Sequence, residues 1–301
     1  MKKIILSSIL FLLINSSFAQ ESKYLQKAET TIAQLFDSLF LNNGAKFTQT
    51  DSSKVQLSRN ISALFDEILN EPQSFSYSFK KIKHLGIIKS QDKRVKIYSW
   101  NIKLDNGIYI YYGYIQKKKG KKIQVFKLHD NTKELEKGAL EDARFDHQNW
   151  LGMLYYNIVD FKRNGKKYYL VLGYRNKGYS LRNKFIDVLY FSKSKAKFGK
   201  NIFKTDKKNF RPQRIIFEYS AKFSFKMNYD PRYKMVVFDH LTPLKSKLKG
   251  YYSFYGPDGS YDAYQYLKGK WTLQSDVWIE GSEKKEGLKE PKSKNIYLKK
   301  N

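Results

Sequence analysis

The sequence predicts a mainly β protein: an antiparallel, hairpin-rich sandwich, barrel or propeller-like domain preceded by an N-terminal helical hairpin. Three observations carry this expectation. Apolar residues recur at three- and four-residue spacing through residue 69, as in helices with one buried face. From Phe75 onward the spacing falls to two, as in strands. Asx-Gly and Lys-Gly pairs then separate short aromatic-rich runs, which is the grammar of hairpins.

Ahead of the first helix, residues 1–19 read as a signal peptide rather than as fold. Lys2 and Lys3 give a positive start, and Ile4 to Ile14 is an almost unbroken apolar run. Ser17-Phe18-Ala19 supplies small residues for cleavage after Ala19. The run falls short of the ~20 residues a spanning helix needs, and no later segment approaches that length. The mature chain is therefore expected to be periplasmic or secreted, with no transmembrane span. Residues 20–72 are assigned to the helical hairpin, 73–280 to the antiparallel β-rich domain and 281–301 to a charged tail.

The first helix is expected over 22–41, with Leu25, Ala28, Ile32, Leu35, Phe36, Leu39 and Phe40 as its stripe and Asn42-Asn43-Gly44 as its stop. The second begins near Asp51-Ser52-Ser53, good N-cap residues, and carries Leu57, Ile61, Leu64, Phe65, Ile68 and Leu69 before Pro72. Phe75, Tyr77 and Phe79 then alternate as a strand, and Tyr98, Trp100, Ile102 and Leu104 as the next. Asp105-Asn106-Gly107 turns the chain into 108–116, and the lysine-glycine cluster at 117–122 turns it into 123–128. A polar, partly helical segment over 131–149 interrupts the pattern. Strands resume at 154–162, 168–174, 185–192, 215–219, 223–229 and 233–239, with a turn at Arg163-Asn164-Gly165-Lys166. The last group is 251–255, 261–267 and 270–277, reversed at Gly256-Pro257-Asp258-Gly259 and at Lys268-Gly269. A short strand is expected at 296–298.

The chain holds 57 Lys and Arg against 28 Asp and Glu, a formal net charge of +29. Lysine is spread along it, denser at 117–122, 193–200 and 245–249. A field of that sign attracts anions over long range and is screened by salt. Outside the cytoplasm the matching partners are an anionic glycan, a lipid surface or extracellular nucleic acid. The absence of cysteine excludes a lipidated N-terminal cysteine, thiolate metal sites and a cysteine nucleophile. No cofactor is expected.

No GxSxG elbow, P-loop, HExxH or helix-opening GxGxxG occurs. Three of the four histidines adjoin an aspartate: His129-Asp130, Asp146-His147 and Asp239-His240. An aspartate that orients an imidazole is the core of a general-base pair. Neighbours on a strand face opposite ways, so the true partners must come from elsewhere in the fold. His240, Asp239, His147 and Asp146 are the catalytic candidates, each histidine to be matched with an acid from a different strand. No metal site is expected: the histidine spacing is not that of zinc, and Asp258 and Asp262 lack the distal glutamate of a calcium loop. Asp258 and Asp262 remain binding candidates. So do Tyr109 and Tyr111, which share one strand face and could stack on sugars or bases. The short connection at 242–249 is expected to make Phe238–Leu241 a neighbour of Gly250–Trp271, bringing Asp239, His240, Asp258 and Asp262 together.

The stretch Arg214-Ile215-Ile216-Phe217-Glu218-Tyr219-Ser220, the stretch Val237-Phe238-Asp239-His240-Leu241-Thr242-Pro243, "GYYSFYGPDGSYD" from Gly250 and Gly269-Lys270-Trp271 resemble uncharacterised secreted proteins of Bacteroidetes-type Gram-negative bacteria, over residues 150–280. The resemblance implies export; it supplies neither an activity nor functional residues. The expected protein is exported, basic and β-rich, a non-enzymatic envelope or extracellular binding protein for an anionic partner. The alternative is a secreted hydrolase using a His-carboxylate pair.

Overall fold

The computed structural model describes residues 23–40, 49–279 and 297–298. The expected signal peptide, the Asn42-Asn43-Gly44 stop and the charged tail other than 297–298 lie outside the described residues. Helix α1 covers 23–40 and α2 covers Asp51–Ile68. Thr50 caps α2 by accepting from the Ser53 N–H, and Asp51 places a negative charge in its first turn. Both apolar stripes lie on a four-stranded antiparallel sheet of β1 (Gly86–Lys89), β2 (Val95–Lys103), β3 (Tyr109–Lys119) and β4 (Lys122–Leu128), in that order. Ile32, Phe36, Ile61 and Phe65 pack against Tyr98, Trp100 and Tyr114 of that sheet.

Alternate residues of the same strands face away from the helices, as the period of two requires. Val95, Ile97, Tyr111, Ile115 and Phe126 share a second core with the next sheet. After a short helix α3 (Thr132–Leu135), this second sheet comprises β5 (Phe145–Asp146), β6 (Leu154–Arg163), β7 (Lys166–Lys177), β8 (Leu181–Ser192) and β9 (Lys195–Phe198), in the order β5-β9-β8-β7-β6. Following β10 (Phe203–Lys204), β11 (Ile215–Ser220) pairs with β8. The remaining strands are β12 (Met227–Asp230), β13 (Met235–Pro243), β14 (Tyr255–Leu267) and β15 (Lys270–Gln274), and they form a third sheet ordered β10-β15-β14-β13-β12. A last pair joins β16 (Trp278–Ile279) to β17 (Tyr297–Leu298).

Leu170, Leu172, Ile186 and Val188 point at the third sheet and meet Met227, Val236, Phe238, Tyr264 and Trp271. The second sheet is thus buried on both faces, which explains why Tyr168-Tyr169-Leu170-Val171-Leu172 reads as an unbroken apolar run. The layers are helices, sheet, sheet and sheet. The β-rich part takes the sandwich form of the prediction, without a closed barrel among the described residues. Among those residues no helix is long and apolar enough to cross a membrane. Expected turns appear where the chain needs positive φ: Asn164 and Gly165 stand at +49° and +70°, Lys268 and Gly269 at +47° and +78°.

Two expectations are corrected. Residues 75–79 form no strand; a 3-10 turn, Pro72–Phe75, leads into irregular chain. Its carbonyls find a side chain instead of a ladder: Lys96 Nζ donates to Ser74 O at 3.4 Å and to Tyr77 O at 2.5 Å. Gly256–Gly259 does not reverse the chain, because β14 runs continuously from Tyr255 to Leu267, and a 3-10 turn, Tyr252–Phe254, replaces the strand expected at 251–255.

Candidate functional site: a basic cleft and a histidine–aspartate pair

The register of the hairpin at Asp105-Asn106-Gly107 sets Val95 opposite Lys117. The lysine hairpin between β3 and β4 therefore lies beside the Asp92-Lys93-Arg94 turn between β1 and β2, and the Lys118 N–H donates to Arg94 O at 2.8 Å. Lys167 and Tyr169 of β7 and Phe191 of β8 complete a cleft of 710 Å³ between the first two sheets. Six basic side chains line it, Lys93, Arg94, Lys117, Lys118, Lys119 and Lys167, against the single carboxylate of Asp92.

That carboxylate is already engaged. Its Oδ1 accepts from the Ser90 hydroxyl at 2.6 Å and the Arg94 N–H at 3.0 Å, and its Oδ2 from Lys167 Nζ at 2.6 Å and the Tyr169 hydroxyl at 3.1 Å. Burial pushes the Asp92 pKa up, and these donors, Lys167 foremost, more than reverse it, so the carboxylate lies below its ordinary range. Among the described residues no ion pair engages the other five cations. Lys117 Nζ sits 4.4 Å from the centroid of the Phe191 ring, and burial, then the charge of Lys119, pulls its pKa down.

The second cluster lies on the third sheet. As expected, β13 pairs with β14, but the ladder is irregular: Asp239 faces Tyr261 and Leu241 faces Pro257. Asp258, Gly259 and Ser260 therefore bulge out opposite the single residue His240. Asp258 Oδ1 accepts from the Ser260 N–H at 2.9 Å and its hydroxyl at 2.8 Å, and Gly259 takes φ +94°. The Gly-Pro-Asp-Gly composition serves a bulge here, where the missing Pro257 N–H is tolerated.

His240 Nδ1 lies 2.8 Å from Asp262 Oδ2, and Asp262 Oδ1 accepts from the Asp276 N–H at 3.1 Å. Burial lowers the imidazole pKa, but the hydrogen bond and charge of Asp262, with Asp258 and Asp276 behind, outweigh it and leave it raised. The acid that holds His240 thus comes from the adjacent strand. Its sequence neighbour Asp239 instead accepts from the Lys226 N–H at 2.6 Å, and burial raises its pKa.

The other sequence candidates do not converge. Asp146 binds Lys195 at 2.6 Å and the Gln148 and Asn149 N–H groups, while His147 packs edge-on against Phe126 at 5.2 Å. Burial pushes the His147 pKa down. Tyr111 is 2% exposed and its hydroxyl accepts from the Asn176 N–H at 2.9 Å, so it belongs to the core and offers no stacking face. The half-buried Tyr109 stacks on it at 6.4 Å. Among the described residues no group of three or more acids and histidines could hold a metal ion.

Sequence reasoning found the lysine hairpin but missed Asp92, Arg94, Lys167 and Phe191. Counting the ladder outward from Asn106-Gly107 reaches Val95 opposite Lys117 and would have placed the Asp92 turn; the second-sheet residues left no such signal. No protein-family model matches the chain, and no curated protein or solved structure matches it either.

Proposed function

We propose that the chain is an exported, basic β-sandwich protein of the envelope or extracellular space that binds an anionic partner in the cleft between the lysine hairpin and the Asp92 turn. The observation that carries this reading is the crowding of five cations, without an ion pair among the described residues, around a carboxylate whose oxygens are already occupied. Lysines act as point charges and suit phosphate, sulfate or carboxylate groups without demanding one geometry. The apolar leader at 4–14 and the resemblance over 150–280 support export.

A heparin column at low salt tests the cleft. Retention of the protein and earlier elution of a K117Q/K118Q/K119Q variant are expected, with a K80Q/K81Q/K83Q variant of equal net charge eluting later than the cleft variant. Equal shifts in both variants would reduce the effect to bulk charge and sink the site. A second reading, a hydrolase, rests on the 2.8 Å contact of His240 with Asp262. It is the weaker one, because the cleft residues do not include His240.

A further inference from the structure

Eight large apolar side chains stand exposed among the described residues, and four of them, Leu244, Tyr251, Tyr252 and Phe254, come from one loop. The loop spans the eleven residues from Leu244 to Phe254 and joins β13 to β14. Pairing of Pro243 with Tyr255 closes its base, and the Leu244 N–H donates to Phe254 O at 3.0 Å. Inside it the N–H groups of Leu248, Tyr251 and Phe254 donate to Lys245, Leu248 and Tyr251 carbonyls, and the Gly250 N–H to the Tyr255 hydroxyl at 3.0 Å. This is a compact, self-bonded loop rather than a slack one.

The loop therefore holds its apolar side chains outward: Leu244 is 59% exposed, Tyr251 65%, Tyr252 46% and Phe254 43%. Lys245, Lys247 and Lys249 lie between Leu244 and Tyr251, all exposed. A single exposed apolar residue is ordinary on a protein surface, whereas four on one ordered loop mark a contact site. Eleven residues cannot supply the ~800 Å² per partner of a stable protein interface. They do match the needs of a lipid headgroup layer, where tyrosine puts its ring among apolar atoms and its hydroxyl in water. Lysines there lay their stems along the apolar surface and carry their charge to lipid phosphates.

We propose that the 244–254 loop docks the protein on an anionic bilayer, seating Leu244, Tyr251, Tyr252 and Phe254 in the interfacial layer with Lys245, Lys247 and Lys249 against lipid phosphates. The proposal takes the lipid surface from the anionic partners considered above but does not use the basic cleft. Tyr252 lies beside Lys177 at one end of β7, and the basic cleft contains Lys167 near the other. Ten residues of strand separate them by ~33 Å, so the docked protein keeps that cleft away from the membrane.

Flotation with phosphatidylglycerol-containing vesicles and with pure phosphatidylcholine vesicles tests it. The protein is expected to float with the anionic vesicles only. Y251S/Y252S/F254S and K245Q/K247Q/K249Q are each expected to lose binding about tenfold, with the melting temperature of each variant read alongside to show that it is folded. K117Q/K118Q/K119Q is expected to bind vesicles like the parent while eluting earlier from heparin. Tryptophan placed by Y251W is expected to be quenched by lipids brominated on the acyl chain. Failure of the parent protein to float overturns the proposal, whatever the heparin column shows. So does retained binding by Y251S/Y252S/F254S, which would mean charge attraction without insertion. Loss of binding confined to the 117–119 variant would move lipid recognition to the cleft, overturning the loop while sustaining the cleft reading.

Discussion

Replacing Lys96 by methionine is expected to flatten the dependence of stability on pH. Lys96 lies on β2 facing the helices and is 4% exposed. Its ammonium donates to Tyr77 O and lies 5.2 Å and 5.0 Å from the ring centroids of Phe79 and Tyr98. Burial first, then the charge of Lys89, lowers its pKa from the ordinary 10.5 to about 7. Between these values the unfolded chain holds the proton and the folded chain releases it. Stability therefore rises with pH through this window, and below pH 7 the full burden of the buried charge is present. The whole window is worth about 5 kcal/mol, a large share of the 5–15 kcal/mol that holds a domain together. Methionine keeps the stem and drops the charge. Urea unfolding of both proteins at pH 6, 7 and 9 isolates the effect, because every other titrating group is common to both. The parent is expected to gain about 2–3 kcal/mol on the variant between pH 7 and 9. A difference that stays flat within about 0.5 kcal/mol would refute the reasoning, since the ammonium would then be as well solvated by its carbonyls and rings as by water.

Arg214 is fully buried, meets Asp187 at 2.8 Å, donates to the Leu140 and Ala143 carbonyls and lies over Phe145 at 4.1 Å. R214M is expected to cost about 3–5 kcal/mol by urea unfolding because it strands Asp187, and R214M/D187N to recover a large part of that. His240 has a raised pKa, so its pairing with Asp262 stabilises the fold below the unfolded value near 6.5 and fades as pH rises through the folded one. With the His240 side chain 44% exposed the effect is under about 1 kcal/mol. An NMR titration of the imidazole is the direct measurement, and D262N is expected to bring its pKa down.

The helices were legible because each buries one face, so Leu25, Ile32, Phe36 and Phe65 announce themselves by spacing. Hairpins were legible where Asn-Gly or Lys-Gly supplied positive φ. Gly86–Lys89, Lys195–Phe198 and Phe203–Lys204 were missed, being too short to display a period of two. The failure at 75–79 is different in kind: the alternation is genuine, and distant Lys96 decides against a strand by satisfying the backbone there. At Gly-Pro-Asp-Gly the same residues suit a reversal and a bulge, and only the continuous ladder with β13 distinguishes them. The nearness of His240 to Asp262 followed from strand neighbours, while their direct contact depends on the irregular register between β13 and β14. Tyr111 was misjudged because a sheet covered on both sides leaves neither face of β3 for a ligand. The Lys167, Tyr169 and Phe191 wall of the basic cleft depends on how the second sheet lies on the first, which no local pattern records.

The layers also follow the order of the chain: helices up to residue 68, the first sheet from 86 to 128, the second chiefly from 145 to 198, the third from 203 to 274. A polypeptide emerging from its N-terminal end completes the helices and first sheet while the rest is still to come. Each sheet then arrives at an apolar face already waiting for it, and each leaves one bare face for its successor. The middle sheet is accordingly sticky for as long as the last seventy or so residues are delayed. Truncation or stalling before β13 would leave Leu170, Leu172, Ile186 and Val188 facing water, making the final third of the chain a cover that guards its own forerunner against aggregation.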